Sequence, residues 1–243
     1  ITSGGNYNVV VGDEAGTAIT TGDNNVAVGY AALDAEDTGT DSVAVGYNAL
    51  TAQNNDAANY NVAIGSSAGA SVTSGTRNTI VGGLAGDAIT TGDQNTVFGA
   101  LALSEETTGE YSVAVGYQAL AVQNSTTGAS MYNTALGYQA GFSVTTGQNN
   151  TFLGGRSGRS TSTGGNNTGL GKDAMYSNTV GLYNVAVGEG ALYTNVDGSN
   201  SVAVGRLALY TQDPATATDM YNVGVGYGAG QSVTTGTLNT FVG

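Results

Sequence analysis

Glycine recurs at a fixed spacing along this chain, and ten of the thirteen intervals between successive members of the series are 17 residues long. A unit this short holds too few apolar residues to fold alone, so neighbouring units must stack and bury each other's faces. The period therefore predicts a solenoid in which each unit forms one coil. The anchor glycines of this series are Gly12, Gly29, Gly46, Gly65, Gly82, Gly99, Gly116, Gly137, Gly154, Gly171, Gly188, Gly205, Gly226 and Gly243.

The residues before each anchor glycine have the signature of a short strand. Val or Thr lies three residues before the glycine, and Val, Ile, Leu or Phe lies one residue before it. Such β-branched and apolar residues are typical of a strand. We expect an all-β fold, a parallel β-roll or β-solenoid of about 14 coils with a 17-residue period. The array should occupy residues 1–243 as one continuous domain, an excerpt of a longer fibrous protein.

A second glycine lies seven residues before the next anchor glycine in all ten 17-residue intervals. Glycine adopts a positive φ without steric cost, so we predict a corner at each of the two glycines. The coil would then be a flattened roll with two sides. The second glycines are Gly22, Gly39, Gly75, Gly92, Gly109, Gly147, Gly164, Gly181, Gly198 and Gly236.

A column of Asn lies four residues before the anchor glycines, and Ser replaces it at positions 42, 112 and 201. Stacked side-chain amides can donate a hydrogen bond to one neighbouring coil and accept one from the other. We interpret the column as an internal ladder. Its members include Asn25, Asn61, Asn78, Asn95, Asn133, Asn150, Asn167, Asn184 and Asn222.

Three intervals between anchor glycines are longer than the rest by two or four residues. Insertions in a solenoid emerge as loops on one face, and such loops often carry recognition. All three end in Tyr-Asn, which favours a repeated architectural element, while simple length variation at a tolerant corner is an equal alternative. The candidate binding residues are Asn54, Asn55, Asp56, Thr126, Thr127, Asp213 and Pro214.

The composition argues against catalysis and cofactor binding. The chain has no His, Cys or Trp, so it lacks the usual metal ligands and the usual nucleophile and base pairs. Carboxylates such as Glu36 and Glu106 are interpreted as solvated turn charges. We predict no enzymatic activity, no metal site and no cofactor, with calcium between acidic turns as an open alternative.

The charge distribution restricts the partners. The formal net charge is −13, and residues 1–110 hold thirteen of the acids. Such a surface repels phosphate backbones, so nucleic-acid binding is not expected. No run approaches the roughly 18 apolar residues of a membrane span, so this segment should not insert into a bilayer. The bases Arg156, Arg159, Lys172 and Arg206 are expected to be separate solvated charges.

Both faces of each strand are apolar. The residue two before the anchor glycine points away from its two neighbours, and it is Ala or Gly in many coils but large in others, such as Ile80 and Phe152. Two apolar faces require burial on both sides. One face would fill the roll and the other would meet another copy, so we predict a parallel homotrimer, with a head-to-tail filament as a variant.

The repeated phrases are similar to those of a known family. Segments such as Ser42-Val43-Ala44-Val45-Gly46-Tyr47-Asn48-Ala49-Leu50 resemble the head repeats of trimeric autotransporter adhesins. They are also similar to repeats in bacteriophage tail-fibre and surface proteins. The resemblance covers nearly the whole chain and implies a left-handed parallel β-roll that trimerises into a rod.

We predict a non-enzymatic structural and adhesive fibre, located extracellularly, at a cell surface or at a virion surface. Its insert loops and corner tyrosines would contact surface glycans or matrix weakly and many times over. A bacteriophage tail-fibre shaft for host recognition is one alternative. An ice-binding solenoid is the other, because Thr-Thr-Gly recurs, as in Thr90-Thr91-Gly92, and flat arrays of Thr can match a lattice.

Overall fold

The computed structural model describes residues 4–125 and 127–243, so the candidate binding residue Thr126 lies outside the described residues. Within the described residues, all regular elements are β-strands and none is a helix. The strands are β1 (Val9–Val11), β2 (Val26–Val28), β3 (Val43–Val45), β4 (Val62–Ile64), β5 (Thr79–Val81), β6 (Thr96–Phe98), β7 (Val113–Val115), β8 (Thr134–Leu136), β9 (Thr151–Leu153), β10 (Thr168–Leu170), β11 (Val185–Val187), β12 (Gly198–Ser199), β13 (Val202–Val204), β14 (Thr218–Asp219), β15 (Val223–Val225) and β16 (Thr240–Val242).

The chain divides into two compact units, one of residues up to Tyr117 with Asn124–Ser130, the other of Gln118–Gln123 with Met131–Gly243. In the first unit, β1 to β7 pair in chain order and all run parallel. In the second, β8, β9, β10, β11, β13, β15 and β16 pair in the same way. Each unit is thus a parallel β-solenoid with seven anchor strands among the described residues. The predicted fold class, with about 14 coils and a 17-residue period, is confirmed.

Equivalent positions of successive coils lie directly above each other. Val26 pairs with Val43 and Ala27 with Ala44, so the register follows the 17-residue repeat. The middle residue of each strand faces the interior, and Ala27, Ile80 and Phe152 are fully buried. Its two neighbours face outward, which places the core between the strand and the return side of each coil.

The core is filled in two ways. In one kind of coil, the fourth residue after the anchor glycine is Leu or Met in the left-handed region, as at Leu33 (φ 52°) and Leu50 (φ 49°), and its side chain is buried. In the other kind this position is Gly, and a buried apolar side chain at the seventh residue, such as Ile19 or Ile89, fills the space. Most coils therefore supply one large return-side residue from one of two places. The coil that begins at Gly154 has Gly158 and Thr161 there, and the buried Phe152 of the preceding strand fills the space instead.

Glycine is required for a different physical reason in each of the two series. The anchor glycines have φ between 125° and 143°, as their predicted corner requires. The prediction of positive φ at the second glycines was wrong, because none of the ten has it; the residue two positions later, such as Gln94 (φ 58°), takes it instead. Glycine is required at these positions because a side chain would clash with the next coil. A Cβ on Gly75 would lie 2.5 Å from the carbonyl oxygen of Gly92.

Replacing an anchor glycine should destabilise the stack. In Gly82→Ala, the new Cβ would lie 2.6 Å from the Gly99 carbonyl carbon, at a φ of 136°. We expect the free energy of unfolding to fall by about 1–3 kcal/mol. Urea unfolding monitored by circular dichroism measures this loss. The matched control is Gly83→Ala, whose Cβ would meet only the Ser66 carbonyl oxygen at 3.9 Å. Equal urea midpoints for the two variants would contradict this account.

Candidate functional sites

The Asn column lies in the interior, and its side chains form hydrogen bonds from each coil to the next. The Asn78 Oδ1 accepts from the Asn95 backbone N–H at 3.0 Å, and its Nδ2 donates to the Gly92 carbonyl at 2.8 Å. Both partners are backbone groups of the following coil, whereas we expected each amide to donate to one neighbouring coil and accept from the other. The same pair of bonds is made by Asn25, Asn61, Asn95, Asn133, Asn150, Asn167, Asn184 and Asn222.

The Ser replacements occur where an insert follows. The residue 14 positions after Ser42 lies in the insert, where the usual second glycine and its carbonyl are missing. A buried Gln completes the network: the Gln53 Nε2 donates to the Ser42 Oγ at 2.9 Å, and its Oε1 accepts from the Asn61 Nδ2 at 2.8 Å. Sequence reasoning missed this residue. A signal was present, because Ser and Gln eleven residues apart recur as Ser42 and Gln53, Ser112 and Gln123, and Ser201 and Gln212.

The three inserts share one architecture. In each, a short stretch pairs in parallel with the coil before it, as Thr40 with Ala58, Glu110 with Ser130, and β12 with β14. Exposure differs among the candidate binding residues: Asn54, Asp56 and Thr127 are exposed, Asn55 and Asp213 are half-buried, and Pro214 is buried. The buried Pro214 therefore offers no surface for contact.

Two glutamates interpreted as solvated turn charges are instead fully buried beneath the inserts. The Glu36 carboxylate accepts from the Gly39 N–H at 2.8 Å and from the Asn59 Nδ2 at 3.1 Å. The Glu106 carboxylate accepts from the Gly109 N–H at 2.7 Å and from the Ser125 N–H at 3.0 Å. A buried carboxylate needs several donors to offset its lost hydration, and the base of an insert supplies them.

Replacing the buried Gln53 should lower the free energy of unfolding far more than the same substitution at the surface. Gln53→Leu leaves the polar side chains of Ser42, Glu36 and Asn61 each with one partner fewer in a water-free interior. We expect a loss of about 1–3 kcal/mol in the free energy of unfolding, measured in urea. Gln94→Leu makes the same chemical change at an exposed position whose side chain bonds only weakly to the Tyr111 hydroxyl, at 3.5 Å. A smaller loss in Gln53→Leu than in Gln94→Leu would contradict the role of this network.

Glu36 should make stability depend on pH. Burial raises the pKa of Glu36 above its ordinary value of 4.5, and hydrogen bonds from Gln53 and the backbone offset only part of that effect. The folded protein then binds the proton more tightly than the unfolded chain, so the free energy of unfolding rises as pH falls towards 4.5. We predict that wild type gains stability relative to Glu36→Gln between about pH 7 and about pH 5, in urea titrations.

The Gln substitution at Glu36 is compatible with the interior. The Asn59 Oδ1 is buried without a hydrogen-bond partner, so it can turn to accept from the new amide. The control is Glu105→Gln, which changes an exposed carboxylate one residue from Glu106 and should keep the pH dependence of wild type. Identical pH profiles for wild type and Glu36→Gln would overturn the assignment.

Tyrosines form two kinds of row. The predicted corner row is exposed, and Tyr30 and Tyr47 stack with ring centroids 5.4 Å apart. A second row, missed in the sequence, stacks Tyr176 on Tyr193 at 5.1 Å and Tyr193 on Tyr210 at 5.0 Å. It arises because Tyr occupies the fifth position after three successive anchor glycines. The other predicted corner tyrosines, all exposed, are Tyr117, Tyr138 and Tyr227.

The basic residues of the second unit do not remain separate. Asp173 forms ion pairs with Arg156 and Lys172, each with a nitrogen-to-oxygen distance of 2.8 Å. Arg206 forms an ion pair with Glu189 at 3.1 Å. Burial alone would raise the pKa of Asp173, but hydrogen bonds and attraction from Lys172 and Arg156 hold it below its ordinary value. The prediction of isolated solvated charges was wrong for Arg156, Lys172 and Arg206, because opposite charges next to each other in the chain or one coil apart fall within contact distance. Arg159 makes no such ion pair among the described residues and contacts the Gln139 side chain instead.

An open groove of about 250 Å³ lies beside this charge network, within the second unit. It is centred on Gly190, the second residue after its anchor glycine. The coils on either side carry the side chains of Asp173 and Leu207 at the same position, so Gly190 leaves a notch between them. The walls are completed by Glu189, Tyr193 and Tyr210.

The remaining site classes find no support among residues 4–125 and 127–243. No cluster of three or more His, Cys, Asp or Glu side chains that could hold a metal ion occurs there. No helix with the length and hydrophobicity needed to span a bilayer occurs in this part of the chain either.

The outward face of the strands is an uncharged surface of Val, Ile, Leu, Phe and Thr side chains within each unit. Its two columns are the residues three and one before each anchor glycine, and none of them is charged. Phe98 is 56% exposed, and Leu136 and Leu153 are exposed as well. We call this surface the strand face. Its apolar side chains repeat at the spacing of parallel strands, about 4.8 Å.

Comparison with known proteins identifies no relative, since no protein-family model matches the chain and no curated protein is similar to it in sequence.

Proposed function

We propose that this chain is a non-enzymatic structural and adhesive fibre segment that self-associates through its strand face. The single observation that carries the proposal is the uncharged strand face, whose side chains are half-buried or exposed in every anchor strand of each unit. Extended apolar surfaces on soluble proteins mark interaction sites, because leaving them in water is costly.

A second copy of the chain is the partner that this surface fits best. Side chains on the strand face repeat with the strand spacing, and another copy in parallel presents the same repeat, so ridges and gaps can match along the whole length. The net charge of −13 is carried by residues outside the two strand-face columns, so it does not oppose the contact directly. A parallel homotrimer with left-handed coils, as in trimeric autotransporter adhesin heads, is the arrangement we propose.

The adhesive part of the proposal rests on the inserts and the corner tyrosines. The exposed insert residues Asn54, Asp56 and Thr127 stand above rigid coils, and a trimer would present each of them three times. Repeated weak contacts gain overall affinity when several engage at once. Location outside the cell, at a cell or virion surface, and contact with glycans or matrix belong to this proposal, as does the related role of a tail-fibre shaft.

The ice-binding alternative is weakened by the position of the threonine hydroxyls. The Thr90 Oγ1 donates to the Thr107 carbonyl at 3.0 Å, and the Thr145 Oγ1 donates to the Ser162 carbonyl at 3.2 Å. These protons connect one coil to the next, so an ordered array of free hydroxyls is not presented at this position. A measurement of thermal hysteresis tests the alternative, and we expect none.

Analytical ultracentrifugation with negative-stain imaging tests the assembly. We expect a discrete trimer, or a head-to-tail filament of trimers, and Phe98→Glu should shift the mass towards the monomer by placing a charge on the strand face. The matched control is Leu84→Glu, an exposed apolar residue (44%) at a corner position where Glu14 already occurs with nearly the same φ. A monomeric wild type, or equal loss of assembly in both variants, would contradict the proposal.

A further inference from the structure

We propose that the groove at Gly190 binds a single neutral sugar unit of a surface glycan. This inference rests on the adhesive part of the proposed function and assigns that adhesion a site and a ligand class. The groove lies entirely within the second unit, so it does not need the assembly to exist. Its volume of about 250 Å³ is just below the usual range for drug-sized ligands, about 300–1,000 Å³, which suits one ring-sized group.

The polar groups around the groove suit a ligand with several hydroxyls. Asp173 and Glu189 offer carboxylate oxygens as acceptors, while the phenol groups of Tyr193 and Tyr210 can donate or accept. Neither phenol oxygen makes a hydrogen bond to another of the described residues. Leu207 adds an apolar wall for the C–H groups of a sugar ring. This mixture of fixed polar groups and apolar surface is typical of a small-molecule site.

The charges favour a neutral ligand. The two carboxylates that line the groove are already paired with Arg156, Lys172 and Arg206, so neither is left as an unpaired charge facing a guest. Asp173 is held rigidly, with its side chain only 9% exposed, whereas the Glu189 side chain is 50% exposed and can reorient. The two carboxylates would repel an anionic sugar. A cationic ligand would have to compete for the same carboxylates with the arginine and lysine groups that already contact them.

The stacking of the tyrosines leaves no face of Tyr193 open to a quaternary ammonium group. Such ligands bind over the faces of aromatic rings. Both faces of Tyr193 are covered, one by Tyr176 and the other by Tyr210, at centroid distances of 5.1 Å and 5.0 Å. Tyr193 therefore offers a ligand its ring edge and its phenol oxygen, and the phenol oxygen can bind a hydroxyl group.

Gly190→Asn is the direct test, because it fills the notch. Asn is tolerated at this position in another coil, where Asn48 has φ 53°, close to the 65° of Gly190. The new Cβ would lie 3.0 Å from a terminal methyl of Leu207, which can move aside. The matched control is Gly228→Asn, at the same position of a later coil, with φ 64° and a Cβ 3.1 Å from the Gln231 Oε1.

Binding is measured on the assembled full chain by saturation-transfer NMR and calorimetry, with glucose, galactose, mannose and N-acetylglucosamine as neutral probes. N-acetylneuraminate and tetramethylammonium serve as the anionic and cationic probes. We expect at least one neutral sugar to bind with a Kd on the order of millimolar, as for a small ligand at one site. Gly190→Asn should weaken that binding at least tenfold, and Gly228→Asn should leave it within about twofold.

Three outcomes would overturn the proposal: no neutral sugar binds, only the charged probes bind, or Gly190→Asn binds as tightly as wild type. Sedimentation of the same samples separates this proposal from the proposed assembly, since neither substitution touches the strand face. Loss of sugar binding with an unchanged assembled mass supports the groove. Sugar binding by a protein that sediments as a monomer supports the groove while contradicting the self-association.

Discussion

The close approach of successive coils is the constraint on which the rest of the structure depends. Parallel strands stack about 4.8 Å apart, so every atom of a coil that points along the stack must leave room for the next coil. This is why Gly75 and Gly92 lack a Cβ, although their φ values would accept one. The same proximity lets Asn78 bond twice to the backbone of the following coil. Interior polar groups therefore stabilise the stack instead of opposing it.

The inserts show what the stack requires when its period is broken. Each one removes the carbonyl that an Asn amide would otherwise use, and the chain replaces that Asn by Ser and adds a buried Gln. In the coil before the first insert, Glu36 holds the loop base through Gly39 and Asn59. The loops therefore rise from a base held by several buried hydrogen bonds, which makes them suitable for presenting contacts at fixed positions. This arrangement connects the internal hydrogen bonds to the adhesive function we propose.

Sequence reasoning predicted the fold well because the period is itself the structural repeat: one anchor glycine, one strand and one coil. It failed where the outcome depended on the distance between coils. We explained the second glycines by a positive φ, whereas the space between coils is what requires them. Glu36 was interpreted as a surface charge because its burial depends on the cross-section of the coil, which the sequence does not show. The groove at Gly190 was also missed, since it exists only because Asp173 and Leu207 carry side chains at the same position in neighbouring coils.

The central claim, that copies of the chain pack through their strand faces, is tested most directly by pulsed electron paramagnetic resonance between copies. The chain contains no cysteine, so one introduced thiol carries one spin label. A label at Gly83→Cys lies just after β5, beside the strand face, and a label at Ser74→Cys lies exposed on the return side of the coil. Packing through the strand faces predicts a well-defined distance between copies at position 83 that is shorter than the distance at position 74. A longer distance at 83 than at 74, or no coupling at 83, would contradict it.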